Sequence, residues 1–262
     1  MDLKLTGHVA LVQGASKGLG RAIAESLAAE GCDLMLTART EATLAAAAAE
    51  IAEARGRRVR WHAADSSHLA ANDAVLDRIR AEFGRLDIIV ANSGGPKPGP
   101  FTDLTPEDWR AGAELLLVAP AHLLRSALPM LRKSPAPRFF VVTSSSTRVP
   151  VANLTLSNTF RPALVGLLKS LSVELAADRV RVHSLAPGRF DTDRLAGLIS
   201  GLAAKSGKPP EQVRADMVAS IPAGRLGEPQ ELGRLCAFLA SPLADYLTGG
   251  NWMVDGGLVS AI

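Results

Sequence analysis

Residues 9–20, VALVQGASKGLG, join an apolar run of strand length to a glycine-rich turn, and residues 21–30 continue as an amphipathic stretch. A strand, a turn rich in glycine and a helix, in that order, admit few folds. Glycine lets another backbone or a ligand approach with no Cβ in the way. The N–H groups of such a turn, and the positive end of the helix behind it, point at one place and favour an anion there, a pyrophosphate above all. Three glycines alone are weak evidence. Their place in the first strand–helix unit gives them weight.

The same alternation runs through the chain. Apolar strand-length runs recur at 33–37, 59–63, 86–91, 138–143 and 180–185, and near 251–254. Between them lie helical stretches at 41–54, 74–83, 106–132, 156–176, 195–204, 211–220 and 229–240. Five consecutive alanines at 45–49 look simple, but Leu44 and Ile51 flank them a heptad apart on one face. Pro120 and Pro129 are expected to kink or interrupt the long stretch at 106–132. Strands alternating with helices predict an α/β fold: a Rossmann-like, doubly wound parallel sheet of about seven strands with helices on both faces. Right-handed crossovers leave little other choice of topology. No linker, compositional break or repeat divides the chain, so residues 1–262 are expected to form a single dinucleotide-binding domain.

Composition narrows the function. At 47% hydrophobic residues the chain can bury a large core, and at 4% aromatics that core is mostly Ala, Leu and Val. The net charge of +3 is spread along the chain, whereas a nucleic-acid binder would cluster it on one face. The densest basic run, RGRRVR at 55–60, reads as a solvated surface. Cys32 and Cys236 are far apart in sequence and belong to no CxxC motif, as expected of small core residues in a reducing compartment. The N-terminus has no cleavable leader pattern, and no apolar run approaches a membrane span. A soluble cytoplasmic protein with no nucleic-acid, membrane or metal partner is expected.

The glycine spacing is GxxxGxG. With it come Asn92-Ser-Gly-Gly95 after the fourth strand, Pro187-Gly188 after the sixth, GRLGEP at 224–229 and VDGG at 254–257. Together these resemble the short-chain dehydrogenase/reductase family, and its 3-oxoacyl-ACP-reductase-like members, over nearly the whole chain. The resemblance implies that Gly14, Ser16, Lys17, Gly18, Leu19 and Gly20 line the dinucleotide in the first turn. Asp65 and Ser66 would face the adenine, Asn92 and Gly94 would follow, and Pro187 and Gly188 would lie beside the nicotinamide. An acid ending the second strand would bond a free ribose 2′-hydroxyl and repel a 2′-phosphate. That place holds Ala38, followed by Arg39, with Lys17 in the turn opposite. Two cations and no carboxylate suit a phosphate dianion, so NADP(H) is expected in preference to NAD(H). The family also implies a substrate lid, here about 189–224, and a homo-oligomer, usually a tetramer.

One part of the resemblance fails. In the family a serine after strand five is joined by a tyrosine and, four residues on, a lysine, which together pass the proton; an asparagine in the preceding helix anchors a water relay. The segment ALVGLLKSLSVEL at 163–175 fixes the register of that helix. The tyrosine place is then Ser157, the lysine place Arg161 and the asparagine place Leu116. The serine is Ser144, with Ser145 an adjacent candidate. An aliphatic hydroxyl is a far weaker acid than a phenol. Arginine stays protonated, yet can hold ribose hydroxyls and stabilise a developing alkoxide. Ser157 and Arg161 are one helical turn apart, on one face, and Pro162 fits best if it and Arg161 lie in the helix's first turn. Arg161 is therefore expected to serve both cofactor and catalysis. Other proton sources considered are His183, read as structural, and Arg148 and Arg189. The only tyrosine, Tyr246, lies far along the chain. The expected activity is an atypical NADP(H)-dependent oxidoreductase acting on a small carbonyl or alcohol, with a degenerate proton site. The alternative is an NADP(H)-binding sensor or scaffold without turnover. Hydrolytic chemistry lacks a recognisable Ser–His–acid order.

Overall fold

The computed structural model describes residues 1–261. Among them seven strands form one sheet: β1 Val9–Gln13, β2 Asp33–Ala38, β3 Val59–Ala63, β4 Ile88–Ala91, β5 Arg138–Val142, β6 Arg181–Pro187 and β7 Gly250–Val254. Their order is β3-β2-β1-β4-β5-β6-β7, and every neighbouring pair is parallel.

Alternate side chains feed two cores, as parallel strands buried on both faces require. Ala10, Val12, Leu34, Leu36, Ile88 and Val90 pack beneath α1 (Gly18–Ala29), α2 (Glu41–Arg55) and α9 (Pro229–Ala240). Val9, Leu11, Met35, Ile89, Phe139 and Val141 pack beneath α3 (Leu69–Phe83), α5 (Ala119–Leu131) and α6 (Thr155–Glu174). Leu44 and Ile51 do lie buried on one face of α2, with Ala47 and Ala48 between them. Each buried Leu, Ile or Phe contributes about 1.5–3 kcal/mol by leaving water. A one-residue slip of any strand would exchange the two faces.

The stretch at 106–132 divides as its prolines require, though not where expected. α4 (Pro106–Ala113), opened by a Thr105–Asp108 capping box, gives way to a π turn at Glu114–Val118 before α5 begins. Pro120 has no N–H to close the regular ladder, and a wider turn absorbs the fault. Pro129 sits inside α5 without ending it. By length and composition the helical run Pro106–Leu131 is apolar enough for a membrane span, with a mean hydropathy of 1.3 in its best window. Here Leu123, Leu124 and Ala127 of that run are buried under the sheet.

Pro162 is a correction. α6 starts at Thr155, so Pro162 lies in the helix interior and not in its first turn. The carbonyl it leaves without a helical donor is that of Asn158.

The strand order reverses between β1 and β4, so a crevice opens at their carboxyl ends. Over that edge hang α7 (Asp193–Ser206) and α8 (Pro210–Ala219), which follow β6 and share a small core of Leu195, Ile199, Ala203, Val213, Ile221 and Leu226. Asp191 pairs with Arg214, and Arg189 donates to the Met217 carbonyl and to Ser220, tying this unit to the end of β6.

Candidate active site

The turn after β1 is shaped by close approach. Gly14 has φ +63°, and a Cβ there would lie 2.7 Å from Asn92 Nδ2. At Gly20 a Cβ would lie 2.2 Å from the Gly14 carbonyl oxygen, backbone that cannot yield. Asn92 Nδ2 donates to the Gln13 carbonyl at 3.2 Å, fastening the end of β4 to the turn. Gln13 Nε2 donates to Asn72 Oδ1 at 2.9 Å, and Asn72 Nδ2 to the Ser66 carbonyl at 3.0 Å, which ties in the end of β3. Lys17 opens α1 with extended backbone, and no side chain caps the helix. Its first N–H groups are left for a ligand.

Around this turn stand residues that follow β2 and β3. Asp65 accepts from the Ser67 N–H at 3.0 Å and the Ser67 hydroxyl at 2.8 Å. These bonds, the backbone one foremost, hold its carboxyl below the usual range. Arg39 is exposed just past Ala38, the last residue of β2, and its charge is felt at Asp65. Lys17 leans the other way, its Nζ 3.2 Å from Asp193 at the start of α7. A cradle that any Cβ would fill and an uncapped helix end fit the pyrophosphate of a dinucleotide.

The turn after β5 carries the second half of the site. Ser144, two residues past the end of β5, caps a tight turn at Ser145–Thr147, its Oγ accepting from the Ser146 N–H at 3.1 Å. That turn carries Ser146 inward, to 3.3 Å between its Oγ and that of Ser157 on α6. Arg161, one helical turn on, donates from Nε to Ser157 Oγ at 3.0 Å and from Nη1 to the Val142 carbonyl at 3.0 Å. Arg161 is only 5% exposed, and none of its hydrogen bonds goes to a carboxylate. Burial, with a smaller push from Arg194, brings its pKa down to about 10, so it remains a cation at neutral pH. It lines a small cavity of about 10 Å³ with Gln13, Ser66, Asn92 and Leu116, roughly the space of one water. Because Arg161 donates into Ser157 Oγ, the hydroxyl's own proton is left to point at Ser146 or at a ligand oxygen.

The opposite edge of the sheet is built differently. There buried Arg138 has Asp245, and buried Asp87 has Arg85 and the Ser134 hydroxyl. A buried charge normally has its partner. At the carboxyl edge buried Arg161 has no such carboxylate and bonds only Ser157 Oγ and the Val142 carbonyl.

The chain matches the Enoyl-(Acyl carrier protein) reductase family over residues 14–259. It is 33% identical to the D-beta-hydroxybutyrate dehydrogenase of Cupriavidus necator, over 98% of this chain and 99% of that one. It is 34% identical to the 3-oxoacyl-[acyl-carrier-protein] reductase FabG of Escherichia coli, with the same coverage. Among solved structures it resembles the L-sorbose reductase of Gluconobacter frateurii complexed with NADPH and L-sorbose, at TM-score 0.95 and 30% identity over the whole of both chains. It also resembles YwfH, an NADPH dependent reductase involved in bacilysin biosynthesis, at TM-score 0.92 and 27% identity over 97% of this chain and 99% of that one. The chain belongs to the short-chain dehydrogenase/reductase family.

This short-chain dehydrogenase/reductase brings together most of the residues its sequence singled out. Gly14, Gly18 and Gly20 form the turn, with Asn92 beneath it. Leu116 is buried in the π turn and faces the same cavity as Arg161. Ser144 is the exception. Its hydroxyl is engaged in capping its own turn, and Ser146, which sequence reasoning passed over, is the serine within reach of Ser157. The only clue was the run of three serines, whose inward member depends on how the chain turns. Arg194 was also missed.

Of the other proton sources considered, Arg148 closes the Ser145–Thr147 turn itself, and the rest lie elsewhere. His183 is fully buried in mid-strand, stacked on Phe140 and accepting from Trp252 Nε1 at 3.0 Å. Arg189 braces α8. Tyr246 is fully exposed. It follows Asp245, which bonds Arg138 and Arg181, the first residues of β5 and β6, at the far edge of the sheet. A serine, histidine and aspartate do meet at Ser126, His122 and Asp73, but both partners bond the same nitrogen, Nε2. A relay needs the two different ring nitrogens. No group of three or more His, Cys, Asp or Glu that could hold a metal occurs among the described residues.

Proposed function

We propose that the protein is an NADP(H)-dependent oxidoreductase interconverting a small carbonyl compound and its alcohol, with Ser157 and Arg161 in place of the usual phenol and amine. The observation that carries this reading is the buried Arg161 cation, bonded to Ser157 Oγ and lacking a carboxylate, beside the dinucleotide turn. Gly14, Gly18, Gly20, Asn92, Asp65 and Arg39 would hold the dinucleotide, with Arg39 taking the 2′-phosphate. The preference for NADP(H) rests on Arg39, on the absence of an acid at Ala38, and on NADPH in the names of the two structural relatives.

A bound nicotinamide supplies hydride transfer. The chain's own residues handle the proton and the charge. Ser157 donates a hydrogen bond to the carbonyl oxygen, and Arg161 stabilises the negative charge that grows there, in a site from which water is largely excluded. Ser146, 3.3 Å from Ser157 Oγ, relays to it a proton taken from solvent in reduction and passes one back to solvent in oxidation, its own hydroxyl unchanged overall. An aliphatic hydroxyl cannot match a tuned phenol as an acid, so chemistry slower than a general acid's usual 10²–10⁴-fold contribution follows. The α7–α8 unit serves as the lid, with Arg189 and the Asp191–Arg214 pair at its hinge.

The test is direct. Purified protein with NADPH is offered ketones, diketones and quinones, and NADPH oxidation above the protein-free rate is expected with at least one class. Tight NADPH binding with no oxidation across the panel overturns the reading.

A further inference from the structure

Arg194, in the first turn of α7, reaches back across the mouth of the site. Its guanidinium meets Gly95 by the Nη2 end: a Cβ on that glycine would sit 2.3 Å from Nη2, 3.2 Å from Cζ and 3.5 Å from Nη1. Its charge is also the one that bears on Arg161. Both acids beside it in sequence are engaged, Asp191 by Arg214 and Asp193 by Lys17. No hydrogen bond or ion pair engages Arg194 among the described residues. The cavity that Arg161 lines has no carboxylate in its wall.

Two guanidinium groups thus lie near each other, one buried and one exposed beside Gly95, and no carboxylate bonds either. Arg194 is exposed; like charges near each other repel, and an anion bound between them would relieve that. The pyrophosphate of a dinucleotide already has the N–H groups of the first turn and the end of α1. Arg194 lies against Gly95, in the loop after β4, where its charge reaches Arg161. We propose that Arg194, with Gly95 as its floor, captures a carboxylate on the substrate, so that the enzyme acts on oxo acids or hydroxy acids and not on neutral ketones. A planar guanidinium offers two parallel N–H donors to such a group. The inference rests on the oxidoreductase reading above and supplies its substrate class.

The experiment is a calorimetric titration of the protein–NADP⁺ complex with straight-chain monocarboxylates from acetate to octanoate, each beside its primary amide. At least one acid is expected to bind ten times more tightly than its amide. Arg194→Gln should abolish that difference and leave NADP⁺ affinity within twofold, and Arg194→Lys should keep part of it. Equal binding of acids and amides by the wild-type protein, or a preference that survives Arg194→Gln, overturns the proposal. So does a loss of NADP⁺ affinity in Arg194→Gln with acid binding unchanged, which assigns the arginine to the pyrophosphate. If NADP⁺ itself fails to bind, the oxidoreductase reading falls, and the same titration on the protein alone still decides whether Arg194 selects acids.

Discussion

The turn after β1 and the turn after β5 open on the same edge of one sheet, yet they obey different rules. The first is made of backbone. Gly20 approaches the Gly14 carbonyl so closely that no Cβ fits, and only one residue type satisfies it. The second is made of side chains. Ser146, Ser157 and Arg161 are joined by bonds of 3.3 and 3.0 Å, and any groups that fill that space and exchange a proton could stand there. A site built from backbone is tied to its sequence by sterics. One built from side chains can change its chemistry while the fold around it stays the same.

The sharpest way to break this contrast is at Gly20. Gly20→Ala is expected to lower NADPH affinity by more than about 10³-fold, since helix α1 must move away from the turn. Fluorescence titration checks the affinity, and circular dichroism checks that the sheet persists. A variant that binds normally would show the first turn to be as tolerant as the second.

Next in size is Arg161→Met. Loss of a charge aimed at the developing alkoxide should lower kcat by about 10²–10³-fold. The melting temperature should stay level or rise, because an apolar residue of similar volume avoids the desolvation of a buried charge. A protein that loses both activity and stability would make Arg161 a structural residue.

Arg39→Ala should weaken NADPH by about 10–100-fold, the worth of a charge-assisted contact to phosphate, and leave NADH unchanged. Equal weakening of both would remove the 2′-phosphate from its role. The smallest effect expected is at the serines. Ser146→Ala should lower kcat about tenfold, while Ser144→Ala should lower it less. The reverse order would return the role to the serine that the family resemblance marks.

How far this could be read in advance follows from the same contrast. Strand–helix alternation and the glycine spacing carry the fold, because hydrophobic period and backbone sterics are local. Ala38 and Arg39 likewise declare a missing acid through position alone. Ser157 and Arg161 were found by counting along α6, where the match from Ala163 onward fixed the register. Ser146 was not, because which of three adjacent serines turns inward is decided by the tight turn at Ser145–Thr147. Arg194 was not, because its place over Gly95 joins residues a hundred positions apart. Pro162 misled, since its local preference for a first turn was overruled by the packing of Leu156, Leu164 and Leu168 along one continuous helix.

That proline has a consequence for anyone hoping to rebuild a conventional enzyme here. It directly follows the guanidinium-bearing residue and withholds an N–H from the turn that also bears Ser157, so the two positions are spaced by a ladder with a missing rung. Installing a phenol and an amine at 157 and 161 alone would place familiar groups on an unfamiliar frame; a faithful reversion calls for three edits, and the third is far from obvious if one looks only at reacting atoms.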